Sequence, residues 1–183
     1  TNGKTTTKEL IKAVLAKNYV TTSTKGNLNN HIGVPLTLLG ITENSKFAII
    51  EMGANHIGEI DFLTNLINPD LGYITNFGKA HLEGFGGIKG VIKGKSELYN
   101  WLLKNNKPIL INVDDENQKK YIDSNSITFG LNNNAQFVFN LEIPKSFISL
   151  NYKNTLINTR LVGSYNFSNI QAAISIGLYF KID

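Results

Sequence analysis

Three consecutive residues near the start of the sequence have the chemistry of a phosphate-binding loop. Gly3, Lys4 and Thr5 form the ending of the P-loop pattern G-x-x-x-x-G-K-[ST]. In such a loop, backbone N–H groups and a helix N-terminus bind phosphate oxygens, the lysine reaches the outer phosphates, and the hydroxyl binds Mg²⁺. The opening glycine would lie upstream, so the sequence is expected to be part of a longer protein. The tripeptide also occurs often by chance, and alone it leaves both interpretations open.

Three further side chains are candidates for related chemistry, and each also has an ordinary structural explanation. Glu51 lies near the end of the apolar run at residues 46–53, where ligands bind in open α/β sheets, but it could also be a solvated carboxylate. His81 could bind a metal through a neutral imidazole nitrogen, or it could pack in a turn. Lys95 lies in a predicted helix, where most lysines are solvated. It is therefore a candidate only in combination with the other candidate residues.

The elements that must position these residues alternate between strand and helix. Apolar spacing predicts helices at residues 8–15, 57–67, 91–103 and 166–180, with a short helix opened by Pro35. Short apolar runs predict strands at residues 19–22, 46–53, 71–76, 108–115 and 127–130. The fold class is therefore expected to be α/β, a mostly parallel sheet flanked by helices.

Two stretches carry more specific structural expectations. Residues 135–162 alternate between apolar and polar side chains, which predicts a small antiparallel β appendage with a hairpin turn at residues 152–155. The run at residues 46–53 is expected to be buried on both faces, as parallel strands usually are. A P-loop joins a strand to a helix, so a strand that is missing from this chain is expected to precede the loop.

The composition describes one globular domain with no membrane span. The 183 residues are 42% hydrophobic and 17% charged, and no apolar run approaches the roughly 20 residues that cross a bilayer. The net charge of +4 comes from scattered lysines, which argues against nucleic-acid binding and suits an anionic small substrate. The absence of cysteine excludes disulfides and thiolate chemistry.

Together and in order, the motifs resemble the central ATPase domain of the Mur ligase family. The matching segments extend over nearly the whole chain, at residues 1–7, 26–39, 51–56, 80–86, 94–97, 112–115 and 163–169. Residues 27–35 and 80–86 are similar in detail to the family members that add D-alanyl-D-alanine in peptidoglycan synthesis. The resemblance implies that ATP phosphorylates a carboxylate of UDP-MurNAc-tripeptide. The amine of D-Ala-D-Ala then attacks the acyl phosphate and forms an amide.

The resemblance also implies roles for individual residues. Catalytic roles fall on Lys4, His81 and Lys95. Two Mg²⁺ ions would be held by Thr5, Glu51, His81 and Lys95, with Lys95 carbamylated by CO₂. ATP would be bound by Asn2, Gly3, Lys4, Thr5, Thr6, Asn30, Asn166 and Asn169, of which Asn166 and Asn169 match residues that contact adenine. Carbamylation requires the neutral amine, so a lowered pKa is expected for Lys95.

The same resemblance implies how the domain works within a larger enzyme. Residues 1–183 would form a single central domain, with a UDP-binding domain and a C-terminal domain outside it. The isolated domain is expected to be a monomer without useful ligase turnover, and a cytoplasmic location follows from the need for ATP. Two alternatives stay open: a related ligase acting on another amino acid or on folate, and a nucleotide-binding module without catalysis. The presence of both candidate metal sites argues against the second alternative.

Overall fold

The alternation of strand and helix predicted from the sequence is found in the computed structural model, which describes residues 3–78, 82–142 and 147–182. The α-helices of this described part are α1 (Lys4–Leu15), α2 (Gly33–Leu39), α3 (Glu59–Ile67), α4 (Leu82–Phe85), α5 (Ile88–Lys104), α6 (Glu116–Lys119) and α7 (Phe167–Tyr179), with a 3₁₀ turn at Ser164–Asn166. Its strands are β1 (Thr21–Ser23), β2 (Phe47–Ile49), β3 (Gly72–Tyr73), β4 (Ile109–Asn112), β5 (Ile127–Gly130), β6 (Phe137–Leu141), β7 (Ser149–Tyr152) and β8 (Thr155–Asn158).

The strands form two sheets. β1 and β2 make a two-stranded parallel sheet, and the other six strands lie in the order β3-β4-β5-β6-β7-β8. Pairing is parallel from β3 to β6 and antiparallel from β6 to β8. The predicted α/β class is confirmed, and so is the hairpin, with Tyr152 paired to Thr155. The predicted antiparallel strands continue the same sheet, because β6 pairs with β5.

Helices cover both faces of the larger sheet, as the alternation along β4 shows. Leu110 packs into one cluster with Leu15 of α1 and Ile176 of α7. Its neighbours Ile109 and Ile111 belong to a second cluster with residues of α3 and α5. Successive side chains of a strand point to opposite faces. The helices α1 and α7 therefore lie on one face, and α3 and α5 lie on the other.

The predicted strand at residues 46–53 differs most from expectation. Only Phe47–Ile49 are strand, and Ala48 in its centre is exposed, so the prediction of burial on both faces is wrong. Within the described residues β2 pairs with β1 alone. An apolar run forms a long buried strand only where neighbouring strands pair with both of its edges. One edge of β2 has no partner strand among the described residues.

The glycine-rich segment before residue 91 is partly helical. Helix α5 begins at Ile88 instead of Val91. A Cβ on Gly90 would overlap the carbonyl oxygen of Phe85, and a Cβ on Gly94 would lie 2.5 Å from the Phe85 ring. These glycines allow α4 to pack directly on α5. Other differences are small: Pro35 is the third residue of α2, and the four-residue helix α6 is too short to show a periodicity.

Candidate active site at the strand ends

The residues of the Gly-Lys-Thr motif form the start of α1. Gly3 precedes the helix in a left-handed conformation with φ 88°, and Lys4 is its first residue. A Cβ on Gly3 would lie 2.7 Å from Asn169 Oδ1, so both the turn and the close approach of Asn169 require glycine. Thr5 is exposed on the first turn, and Thr6 is half-buried. The N–H groups of a first helical turn have no carbonyl partner within the helix and suit an anion.

Glu51 lies just beyond β2 in a buried position with one unused oxygen. The residue is only 6% exposed. Its backbone N–H donates to Thr24 Oγ1 at 2.9 Å, and its Oε1 accepts from Asn29 Nδ2 at 2.7 Å. Its Oε2 is buried with no hydrogen-bond partner among the described residues. A buried carboxylate oxygen without a partner is costly, and a cation bound there would remove that cost.

Lys95 and Lys4 come from distant parts of the chain and approach the same place. The Lys95 ammonium donates to the carbonyl oxygens of Asn76 at 3.0 Å and Gly78 at 3.5 Å, just beyond β3. Burial and the nearby Lys4 cation lower the pKa of Lys95 to about 8, while Asp115 acts in the opposite direction. The expected lowering of this pKa is therefore present.

The pKa of Lys4 is also below its usual value. Burial lowers it, and the nearby Glu51 carboxylate opposes the shift. Lys4, Glu51 and Lys95 all line one groove of about 580 Å³, which lies between β2 and β3. The structure thus brings three of the predicted site residues together at the carboxyl ends of these two strands.

Asn166 and Asn169 form a buried chain of hydrogen bonds that holds α1 against α7. Thr7 Oγ1 donates to Asn169 Oδ1 at 3.0 Å, and Asn169 Nδ2 donates to Asn166 Oδ1 at 3.0 Å. Asn166 Nδ2 in turn donates to the carbonyl oxygen of Val162 at 2.9 Å. An amide group can make up to four hydrogen bonds, so each Asn keeps capacity for a further partner. The predicted contact with adenine stays a prediction.

The asparagine that reaches Glu51 is Asn29, and the sequence interpretation had selected its neighbour Asn30. Asn30 is exposed, and its Oδ1 accepts from the N–H groups of Ile32 and Gly33 at the start of α2. Asn29 is also tied to the strand end, because its carbonyl oxygen accepts from Gly53 N at 2.7 Å. No local sequence signal distinguishes the two asparagines. The two asparagines make different contacts, and these contacts depend on the residue at which α2 begins.

Lys8 is a second residue that the sequence interpretation missed. It is 3% exposed, and its ammonium donates to the carbonyl oxygens of Thr24 at 2.6 Å and Gly26 at 3.4 Å. It also pairs with Glu9 at 2.9 Å. A lysine on an amphipathic helix normally lies in solvent. Here the hydrogen bonds of Lys8 connect α1 to the loop that contains Asn29.

Two predicted site residues, Asn2 and His81, lie outside the described residues. Within the described ranges, no group of three or more histidine, cysteine, aspartate or glutamate side chains could hold a metal ion. The predicted metal set does not depend on such a group, because it combines one carboxylate with a hydroxyl, an imidazole and a modified lysine. No helix in the described part of the chain is long and apolar enough to cross a membrane.

Comparison with known proteins identifies the family of this chain. The sequence pattern of the Mur ligase middle domain matches residues 1–177. A UDP-N-acetylmuramoyl-tripeptide--D-alanyl-D-alanine ligase from Bacillus subtilis (strain 168) is 40% identical over 186 residues, covering 99% of this chain and 40% of that protein. MurF from Acinetobacter baumannii has a similar structure, with a TM-score of 0.87, 29% identity, and coverage of 100% of this chain and 42% of that one.

A MurF ligase from Thermotoga maritima, solved in complex with ADP, is also similar, with a TM-score of 0.84 and 26% identity over 100% of this chain and 44% of that one. The chain thus spans about two fifths of the length of these relatives. The resemblance inferred from the motifs is confirmed over nearly all of its residues. This chain belongs to the Mur ligase family, and residues 1–177 match the middle domain of that family.

Proposed function

We propose that the chain is the ATP-binding catalytic domain of a ligase that adds D-Ala-D-Ala to UDP-MurNAc-tripeptide through an acyl phosphate. The observation that carries this proposal is the meeting of Lys4, Glu51 and Lys95 at the carboxyl ends of β2 and β3. The names of the similar proteins support the choice of substrates, and the ADP in the Thermotoga maritima structure supports the nucleotide. The activity belongs to the longer polypeptide, in which this domain is one part of a cytoplasmic enzyme.

The start of α1 binds the phosphates of ATP in this proposal. The amides of its first turn and the Lys4 ammonium face charge that builds on the transferred phosphoryl group. The hydrogen bond from Thr7 to Asn169 fixes the first turn against α7. Fixed donors stabilise a transition state because they need not reorganise during the reaction. Asn2, Gly3 and Thr6 extend the phosphate site, and Asn30, Asn166 and Asn169 extend the nucleotide site.

The residues present fit a bound Mg²⁺. The unpartnered Oε2 of Glu51 is a hard oxygen ligand, of the kind that this ion prefers. Thr5 would supply a hydroxyl, and His81 and a carbamylated Lys95 would hold a second ion. Bound Mg²⁺ offsets the repulsion between ATP and the attacking carboxylate. Asn29 holds the other oxygen of Glu51, so the free one keeps a fixed direction.

Lys95 is suited to carbamylation by its surroundings. The neutral amine attacks CO₂, a new N–C bond forms, and one proton leaves the nitrogen, which converts a cation into a carboxylate-like anion. At pH 8 the neutral amine is a substantial fraction of Lys95, because burial and the Lys4 cation lower its pKa to about 8. An ordinary lysine has a pKa near 10.4, so its neutral fraction at that pH is below about 1%.

The proposal is tested by phosphate release from the full-length enzyme supplied with ATP, Mg²⁺ and UDP-MurNAc-tripeptide. We expect release to rise when D-Ala-D-Ala is added and to stay at baseline with single amino acids. Release driven by a single amino acid, or by glutamate with a folate, would assign the chain to a related ligase instead. ATP binding without acceptor-dependent release from any substrate would identify a non-catalytic nucleotide-binding module. Residues 1–183 alone are expected to bind nucleotide as a monomer without ligation.

Replacing Asn29 with alanine should weaken Mg²⁺-dependent nucleotide binding by about 10- to 100-fold, the usual effect of losing a group that orients a metal ligand. The variant removes the hydrogen bond to Glu51 Oε1 and frees the carboxylate to rotate. Calorimetric titration with ATP, with and without Mg²⁺, measures the change. Asn27→Ala, an exposed residue of the same loop, is the matched control. An equal loss of affinity without Mg²⁺ would show that Asn29 only supports the loop.

A further inference from the structure

The pairing between β3 and β4 ends earlier than the pairing between β4 and β5. β4 pairs with β5 as far as Asn112, but within the described residues its pairing with β3 ends at Tyr73 and Leu110. If this register continued, Ile74 would lie opposite Ile111. A residue in a parallel pair bonds to the residues on either side of its partner. The Ile74 N–H would then donate to the carbonyl oxygen of Leu110, and the Ile74 carbonyl oxygen would accept from Asn112 N.

Two side chains occupy both of these hydrogen-bonding positions. Ile74 N donates to the Tyr99 hydroxyl at 3.1 Å, and that hydroxyl donates to the carbonyl oxygen of Leu110 at 2.8 Å. Gln118 Nε2 donates to the carbonyl oxygen of Ile74 at 3.0 Å, and Gln118 Oε1 accepts from Asn112 N at 2.9 Å. Each side chain therefore lies between a backbone donor and the backbone acceptor that a regular sheet would pair with it.

Tyr99 and Gln118 are held rigidly in these positions. Both side chains are 0% exposed, where an unpaired polar group is costly. Burial raises the pKa of Tyr99 well above its usual value, so the hydroxyl keeps the proton that it donates. The Tyr121 ring packs against the Tyr99 ring with 5.3 Å between the centroids. Gln118 Nε2 also donates to Asp115 Oδ2 at 3.2 Å, so the surrounding residues fix the orientation of both side chains.

The backbone that follows β3 is bonded to side chains of α5. Lys95 and Tyr99 lie about one turn apart on this helix. The Tyr99 hydroxyl accepts from Ile74 N, and the Lys95 ammonium donates to the carbonyl oxygens of Asn76 at 3.0 Å and Gly78 at 3.5 Å. Helix α5 thus binds the segment at three alternate residues. The position of the two carbonyl oxygens relative to Lys95 therefore depends on how far Ile74 is kept from β4.

We propose that Tyr99 and Gln118 are positioning residues for the ligase reaction, which keep the backbone after β3 away from β4 and thereby place two carbonyl oxygens beside Lys95. This role depends on the proposed function, because it concerns the carbamylation of Lys95. A carbamate retains one N–H group, and the carbonyl oxygen of Asn76 can accept from it as it accepts from the ammonium. That hydrogen bond fixes the direction of the new carboxylate-like group. Without the two inserted side chains, Ile74 bonds directly to β4, and the Asn76 carbonyl is displaced relative to Lys95.

Tyr99→Phe in the full-length enzyme tests this role, because it removes only the inserted oxygen. We expect the bicarbonate concentration at which phosphate release is half of its maximum to rise about 10-fold, the lower end of the usual effect of losing a group that orients a metal ligand. The ¹³C carbamate signal at ambient CO₂ should fall in parallel. Saturating bicarbonate should restore most of kcat and leave the KM for ATP unchanged, which a general loss of stability would not do.

Tyr121→Phe is the matched control, since it removes a hydroxyl from the ring that packs against Tyr99. It should leave the bicarbonate dependence unchanged. Gln118→Met removes the bonds to Ile74 and Asn112, and it should raise the bicarbonate requirement at least as much as Tyr99→Phe does. An unchanged bicarbonate requirement in both variants would overturn the proposed role.

Absence of the carbamate signal from the unchanged enzyme would instead count against the proposed function. The crystal structure of Tyr99→Phe then decides the positioning role by itself. We expect a direct bond from Ile74 N to the carbonyl oxygen of Leu110, with the Lys95 ammonium beyond hydrogen-bond distance of the Asn76 carbonyl oxygen. An unchanged backbone at residues 74–78 would show that the inserted side chains do not position it.

Discussion

Lys95→Ala in the full-length enzyme is expected to lower the rate of acceptor-dependent phosphate release by about 10²- to 10³-fold, the size of effect seen when one charge-stabilising group leaves an active site. The reason is chemical, because alanine cannot form the carbamate proposed to hold Mg²⁺. The Lys95 ammonium on α5 also lies near Lys4 and donates to the carbonyl oxygen of Asn76 just beyond β3, so its loss acts at the centre of the site. Steady-state kinetics at saturating ATP and Mg²⁺ measure the change.

A short carboxylic acid such as acetate or propionate should restore part of the activity of Lys95→Ala, since it can occupy the space of the missing carbamate. Lys93→Ala is the matched control, because Lys93 is exposed on the same helix, and it should keep the activity of the unchanged enzyme. A ¹³C-labelled carbamate signal should appear with ¹³CO₂ in the unchanged enzyme and disappear in Lys95→Ala. Full activity of Lys95→Ala at ambient CO₂ would remove the carbamate from the mechanism.

Lys4→Met should reduce the same rate by a comparable factor of about 10²–10³, because the ammonium that faces the transferred phosphoryl group is lost. The loss should appear in kcat more than in KM for ATP, since the amides of α1 still bind the phosphates. Lys17→Met, on an exposed residue just after α1, should leave both parameters unchanged. A change in KM alone would mean that Lys4 binds ATP without stabilising the transition state.

Lys4→Met should also move the titration of Lys95. The Lys4 cation is one of the causes that lower the pKa of Lys95 to about 8, and its removal lets that pKa rise. The neutral amine is the form above the pKa, so the variant should require a higher pH for the same degree of carbamylation. The ¹³C carbamate signal, followed from pH 7 to pH 10, measures this shift. An unchanged midpoint would show that burial alone lowers the pKa.

The sequence by itself was enough for the order of the elements and the fold class. The apolar spacing of α3 and α7 and the hairpin after Tyr152 were all predicted within a few residues, because these patterns are local. Strands that pair with each other can be distant in sequence, and for this reason the main error of prediction concerns a strand. The apolar run at residues 46–53 predicted a strand buried on both faces, yet β2 has Phe47–Ile49 alone and an open edge.

Within the site, the sequence was enough to identify residues whose function depends on the adjacent residues of the chain, such as Gly3-Lys4-Thr5 before a helix. The tertiary structure decided the environment of Lys95, because burial and a cation 91 positions away in sequence lower its pKa. It also decided that Asn29 reaches Glu51 while Asn30 accepts a hydrogen bond from the Gly33 amide at the start of α2. Adjacent identical side chains carry no signal that separates them, and their roles depend on the direction in which the folded backbone presents each one.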